Sequence, residues 1–191
     1  MAARLHAKNA GLDRSRTGGR QPADHRTELS TGFRLRRAGA ADGAAVAGIA
    51  EAVRYRPGSA DGARGYLVYV RPAEEYATLF GRAETAAWIA EDESGRALGF
   101  LWCERRGEGE WYLEQIGIQP EARGLGVAAA LHERMLAELS PARLECEIMH
   151  EPLRNERSRG FFLRQGWRCV GEKADGEFVW GRYAREDSRQ F

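Results

Sequence analysis

The hydrophobic positions along the chain change period several times, and each change marks an element. Residues 32–37 (GFRLRR) alternate apolar and basic side chains as a short strand does, after which Val46, Ile49 and Val53 fall on one helical face. A stretch rich in Gly, Pro and Arg over residues 54–66 predicts a loop, and residues 74–80 a second short helix. Residues 85–91 and 97–104 are strand-like runs around the polar turn Asp92-Glu93-Ser94-Gly95, and Gly107-Glu108-Gly109 leads into a strand that begins at Trp111. An antiparallel meander of three strands is expected there.

The Trp111 strand ends at Pro120. A turn carrying Arg123-Gly124-Leu125-Gly126 follows, then a long amphipathic helix in which Val127, Leu131, Met135 and Leu139 recur every four residues. Residues 143–149 (RLECEIM) alternate as another strand, 155–164 form a short helix, and 167–170 with 177–183 a final hairpin. A helix of this length between two strands is a crossover, so the Trp111 and Arg143 strands should lie parallel, with the apolar face of the helix packed on the sheet. Residues 1–31 have few large apolar side chains and no period, which predicts a disordered extension; residues 186–191 are a short tail.

At 191 residues and 43% hydrophobic, the chain suits one globular domain, placed at residues 32–185. Lys plus Arg (29) nearly balance Asp plus Glu (28), so there is no broad field to draw in nucleic acid or an anionic membrane. Neither is expected as a partner, and any anion site must be local. Cys103, Cys146 and Cys169 have no paired spacing and fall in strand-like stretches, which predicts buried, reduced thiols and a cytoplasmic protein. No apolar run approaches a membrane span.

A strand that feeds a glycine-rich turn into a helix N-terminus gathers unpaired backbone N–H groups before the positive end of a helix dipole, and such a nest binds phosphate. Several folds use one. Gly124-x-Gly126-x-x-Ala129 matches a relaxed dinucleotide fingerprint, with Glu145 about 20 residues on, where a ribose-binding acid is expected. A dinucleotide fold continues through further strand–helix units, for which the residues after Glu145 leave little room. A Walker-type loop is excluded, because no Gly-Lys-Ser or Gly-Lys-Thr follows the glycines.

Ile116-Gly117-Ile118-Gln119-Pro120, followed by Glu121-Ala122-Arg123-Gly124-Leu125-Gly126, resembles the GNAT superfamily of acyl-CoA-dependent N-acyltransferases, whose strand L-x-V-x-P leads into Q/R-x-x-G-x-G/A. Glu121 departs from that pattern. A second signature of the family, N-x-x-S/A-x-x-F-Y-x-x-x-G-F, has Asn155, Ser158, Phe161, Phe162, Gly166 and Trp167 in register, and the resemblance extends over residues 32–185. It implies an α+β fold of three layers, a mixed, mostly antiparallel sheet flanked by helices, with a splayed parallel strand pair forming the acyl-CoA site.

The resemblance also implies a use for each motif. Backbone N–H groups from Arg123, Gly124, Leu125, Gly126, Val127 and Ala128 would hold the pyrophosphate of acetyl-CoA, the acyl donor, and no metal is called for. Its pantetheine arm would pair with the strand at Ile116, Gly117 and Ile118, where a backbone N–H polarises the thioester carbonyl, while Asn155, Ser158 and Phe162 line the other side. Phe162 stands where relatives carry a tyrosine that protonates the leaving sulfur; a thiol of pKa ~8.5 leaves readily without that help.

An alkylamine of pKa ~10.4 pays about 4.6 kcal/mol to be neutral at pH 7, so a base is useful. Glu114, two residues before Ile116, is the leading candidate, with Glu147 and His150 as rivals. Glu145 shares a strand face with Glu147, and one of the two pairing with an arginine is the plain expectation. Tyr66, Tyr69, Trp102, Trp111, Tyr112 and Trp180 are aromatics expected near the acceptor side, which suggests a small and partly apolar or aromatic amine. The expected function is acetyl transfer to a primary amine of a small molecule by direct attack in a ternary complex. The alternatives are a protein acetyltransferase, N-terminal or lysine, and a non-catalytic acyl-CoA-binding module. A monomer or a homodimer suits all three.

Overall fold

The computed structural model describes residues 32–57 and 65–186. The expected extension at 1–31 and nearly all of the tail lie outside the described residues. Among the described residues, seven strands, β1 (Phe33–Arg37), β2 (Thr85–Asp92), β3 (Ala97–Gly107), β4 (Glu110–Ile118), β5 (Arg143–Glu151), β6 (Arg168–Asp175) and β7 (Phe178–Glu186), form one sheet. Their order is β1-β2-β3-β4-β5-β7-β6, and β4 with β5 is the parallel pair while the other neighbours are antiparallel. This is the mixed, mostly antiparallel sheet that the sequence predicts.

Helices α1 (Gly43–Ala52) and α2 (Ala73–Phe80) cover one face, α3 (Val127–Leu139) and α4 (Glu156–Arg164) the other. Val46 and Ile49 of α1, with Tyr76 and Phe80 of α2, pack on Ala87, Ile89, Phe100 and Trp102. Across the sheet, Val127, Leu131 and Met135 of α3 join Trp88, Leu101, Leu113 and Leu144. The four-residue spacing of α3 is therefore its core face, with Leu139 only partly buried at the end. Among the described residues, no helix is long and apolar enough to cross a membrane.

One irregularity shapes everything downstream. Trp102 pairs with Gln115 and Cys103 with Leu113, so Glu114 is an extra residue in β4 with no partner on β3. A bulge bends its strand and increases the local twist. The β4–β5 ladder has rungs at Glu110↔Arg143, Trp111↔Leu144 and Tyr112↔Glu145, and it stops just before the bulge. From there the two parallel strands diverge.

The cysteine expectation holds in two places and fails in the third. Cys103 and Cys146 are buried, and burial pushes both thiols well above their ordinary range. Cys169 is exposed, because β6 is the edge of the sheet and most of its side chains face solvent. The last hairpin is also longer than its apolar pattern suggests, and Trp167 precedes it as a core residue rather than a strand residue.

His132, on the core side of α3, was not anticipated. It is fully buried, and its Nε2 accepts a hydrogen bond from the Trp167 indole at 3.0 Å. Burial, with Arg185 nearby, lowers its pKa to about 4. The unfolded chain takes up a proton near pH ~6.5 that the folded chain refuses until about pH 4, so stability falls as pH drops through that window. The expected loss from this residue is about 2 kcal/mol by pH 5, and chemical denaturation of wild type and His132→Gln at pH 7.5 and 5 checks it, because the variant should lose less.

Candidate active site

The turn ahead of α3 is built on left-handed glycines. After a 3₁₀ turn at Pro120–Ala122, Gly124 has φ 84° and Gly126, the N-cap of α3, has φ 82°. A side chain at either position meets the steric penalty of that region. The Arg123 and Leu125 N–H groups close turn bonds to Pro120 and Ala122, each at 3.4 Å, and the first helical bond runs from Ala130 N–H to the Gly126 carbonyl at 3.0 Å. The N–H groups of residues 127–129 thus precede the helical ladder and are available to an anion.

A cavity of about 340 Å³ opens beside this turn. It brings together Ile116, Ile118, Arg123, Gly124, Gly126, Val127, Ala128, Ser158 and Phe162, all expected on the donor side, and adds Arg157 and Arg164, which were not. Seven residues apart, these two lie on one face of α4. Three expected residues do not line it: Leu125, Gly117 and Asn155, the last of which lines a second cavity. Leu125 is 53% exposed, and Gly117 is explained by packing, since a Cβ there would fall 2.3 Å from the Phe100 ring.

A second cavity of about 100 Å³ lies deeper in the gap between β4 and β5. Glu114, Gln115, Glu147, Asn155, Tyr69 and Trp180 line it, and it shares Tyr66, Ile116, Ser158 and Phe162 with the first. Asn155 also caps α4, its side-chain oxygen accepting the Ser158 N–H at 3.4 Å. Tyr66 bridges the two cavities: its hydroxyl accepts the Ile118 N–H at 2.9 Å, and the Arg123 guanidinium lies over its ring, 5.7 Å from the centroid.

Burial holds the Glu114 carboxyl above the usual carboxylate range, with the Glu104 charge adding to the rise. Arg106 pulls it back, donating to Glu114 Oε1 and reaching Glu104, each at 2.9 Å. Burial also pushes the neighbouring Tyr112 phenol up, and the Glu147 and Glu114 charges add to it.

The other acid–base candidates separate by position. Glu145 lies at the paired end of β5, away from the second cavity, and pairs with Arg143 at 2.6 Å. His150 sits in β5, with Nδ1 2.7 Å from Glu172 and Nε2 3.0 Å from the Tyr183 hydroxyl, so both ring nitrogens are engaged. Gly181 leaves room for it, since a Cβ there would lie 2.2 Å from Nε2. His150 lines neither cavity.

Of the aromatics expected near the acceptor, Tyr66, Tyr69 and Trp180 line the second cavity, while Trp111 and Tyr112 lie by a shallow hollow at the paired end of β4 and β5. Trp102 is buried beneath Gln115, and its indole N–H reaches Gln115 Oε1 at 3.1 Å. Gln115 itself escaped notice in the sequence, although a glutamine between Leu113 and Gly117 on an otherwise apolar face was the available signal.

The Acetyltransferase (GNAT) family matches residues 61–167, more than half of the chain. This chain belongs to the GNAT acetyltransferase family. It is therefore an acyltransferase. The chain is 33% identical over 98 residues to the 5-NmdU N-acetyltransferase of Pseudomonas phage PaMx11, a match covering 50% of this chain and 67% of that protein. Among solved structures, the ribosomal-protein-S18-alanine N-acetyltransferase of Escherichia coli has the same fold, with a TM-score of 0.64 at 15% identity over 81% of this chain and 93% of that one. An N-acetyltransferase from Staphylococcus aureus Mu50 gives a TM-score of 0.62 at 20% identity, covering 81% and 98%.

The glycine turn generates a prediction of its own. A Cβ at 124 or 126 meets no atom within 4 Å, so the cost of Gly124→Ala or Gly126→Ala lies in the backbone alone. Each should lower stability by about 1 kcal/mol in chemical denaturation, from positive φ without steric clash.

Proposed function

We propose that this enzyme transfers an acetyl group from acetyl-CoA to a primary amine on a small molecule, by direct attack in a ternary complex, in the cytoplasm. The observation that carries the reading is the shared wall of the two cavities. A long molecule anchored at the glycine turn and extended past Ile118 and Ile116 would end beside Glu114. The phage relative is a 5-NmdU N-acetyltransferase, and the small second cavity supports a compact amine here too.

The residues fit such a donor. The N–H groups at the start of α3, with Arg123, Arg157 and Arg164 around the same cavity, suit a pyrophosphate, and the unpaired edge of β4 suits an extended arm with amide groups. When bound, acetyl-CoA supplies an acetyl group activated as a thioester. Glu114 and Glu147 give the second cavity a negative wall that attracts an ammonium group. Glu114, its carboxyl raised by burial, accepts the proton of that ammonium at lower cost than an exposed carboxylate does. Phe162 presents a ring and no hydroxyl, so proton handling rests on the Glu114 side.

Calorimetry with CoA, set beside acetyl transfer from acetyl-CoA to a panel of amines, tests the reading. Wild type should bind CoA and turn over. Glu114→Gln should lower kcat/KM about 10²-fold at unchanged CoA affinity. The carboxylate must be ionised to act, so wild-type activity should fall as pH drops through its raised pKa, and the variant should lose that limb. CoA binding without turnover of any amine would establish a non-catalytic module instead.

The reading also assigns the Ile118 N–H to the donor, yet the Tyr66 hydroxyl holds it here. Tyr66→Phe should therefore tighten CoA binding severalfold by calorimetry. Weaker binding would mean that the hydroxyl contacts the donor rather than competing with it.

A further inference from the structure

We propose that the acceptor amine is carried on a flat ring that packs on Tyr69 and Trp180, and that Gln115 is the positioning residue that holds this aromatic wall in place. This rests on the acetyl-transfer reading and adds the chemical class of its acceptor.

Three observations lead to it. The Tyr69 and Trp180 rings are nearly parallel, 14° apart in plane with centroids 6.1 Å apart, and both line the second cavity. Tyr69 is nevertheless 64% exposed, so folding alone gains little from keeping so large an aromatic there. The same cavity carries the Glu114 and Glu147 carboxylates. A ligand that matches such walls has a flat apolar body and a cationic nitrogen. Linear polyamines offer the charge without the plane, and simple arenes the plane without the charge.

Gln115 explains why the wall stands where it does. It is 7% exposed on the α2 side of β4, and its Oε1 accepts from the Tyr76 hydroxyl at 2.7 Å and the Trp102 indole N–H at 3.1 Å. With two donors on its oxygen, the amide nitrogen must point the other way, and there it donates to the Tyr69 backbone carbonyl. One buried side chain thus ties the segment bearing Tyr69 to α2 and β3. Burying an amide is favourable only when its groups are paired, so any other placement of Tyr69 would strand the Gln115 nitrogen. The ring is exposed, but its backbone is anchored.

The test compares benzylamine and an aminomethyl heteroarene with butylamine, cyclohexylmethylamine and spermidine. Rates are expressed per concentration of free base, so that basicity does not decide the ranking. Wild type should favour the ring amines by about tenfold in kcat/KM, the scale of one aromatic contact. Tyr69→Leu and Trp180→Leu, which keep apolar bulk, should each abolish most of that preference through KM, with CoA affinity unchanged. Gln115→Glu keeps both acceptor bonds but sets a carboxylate against the Tyr69 carbonyl, so it should raise KM for ring amines severalfold while kcat at saturation stays within about twofold.

Equal use of ring and linear amines, or a preference that survives both leucine variants, overturns the proposal. If CoA does not bind wild type, the acetyl-transfer reading fails instead. Calorimetric binding of benzylamine to the donor-free protein, weakened in Tyr69→Leu, then still decides whether the wall selects a ring.

Discussion

The site depends on two parallel strands that pair for three rungs and then part. β4 and β5 are held together from Glu110 to Tyr112 and separate where Glu114 adds an unpaired residue to β4. The bulge has three consequences. It leaves β4 without a β5 partner where Ile116 and Ile118 line the first cavity, it places Glu114 in the gap, and it shifts the strand's phase so that Leu113, Ile116 and Ile118 all serve the α3-side core. With that phase kept, Gln115 falls on the opposite face, among Trp102 and Tyr76. A regular strand would not provide this combination.

Around the gap, polar groups are placed with different degrees of constraint. Gln115 makes its hydrogen bonds inside the fold, and His150 ties β5 to the final hairpin through Glu172 and Tyr183. Glu114, by contrast, is held by Arg106 at one oxygen while burial raises its carboxyl, a compromise between positioning and basicity. Under the proposed function this difference is what separates the reacting carboxylate from groups that only build the walls.

Much of this was legible along the chain. The strand–turn–helix unit, the glycines at 124 and 126, the parallel crossover and the core face of α3 follow from local periodicity and turn chemistry, and the structure agrees with each. Most residues of the paired signatures meet at one cavity, which Leu125, Gly117 and Asn155 do not line. The close approach of the Phe100 ring, which requires glycine at 117, comes from the next strand, and no local pattern reveals it. The exposure of Cys169 and the contacts of His150 with Glu172 and Tyr183 have the same kind of cause, strand order, which makes β6 an edge and sets the last hairpin against β5.

The sequence by itself determined the elements, their direction and the glycine turn ahead of α3, because each depends on residues within a few positions of one another: helical spacing, strand alternation, glycine at positive φ. The tertiary structure alone decided which carboxylates face the gap, that Tyr66 occupies the Ile118 N–H, and that Gln115 anchors Tyr69 across 46 residues of chain. Those facts come from a bulge and from contacts between elements remote in sequence, and no window along the chain contains both partners.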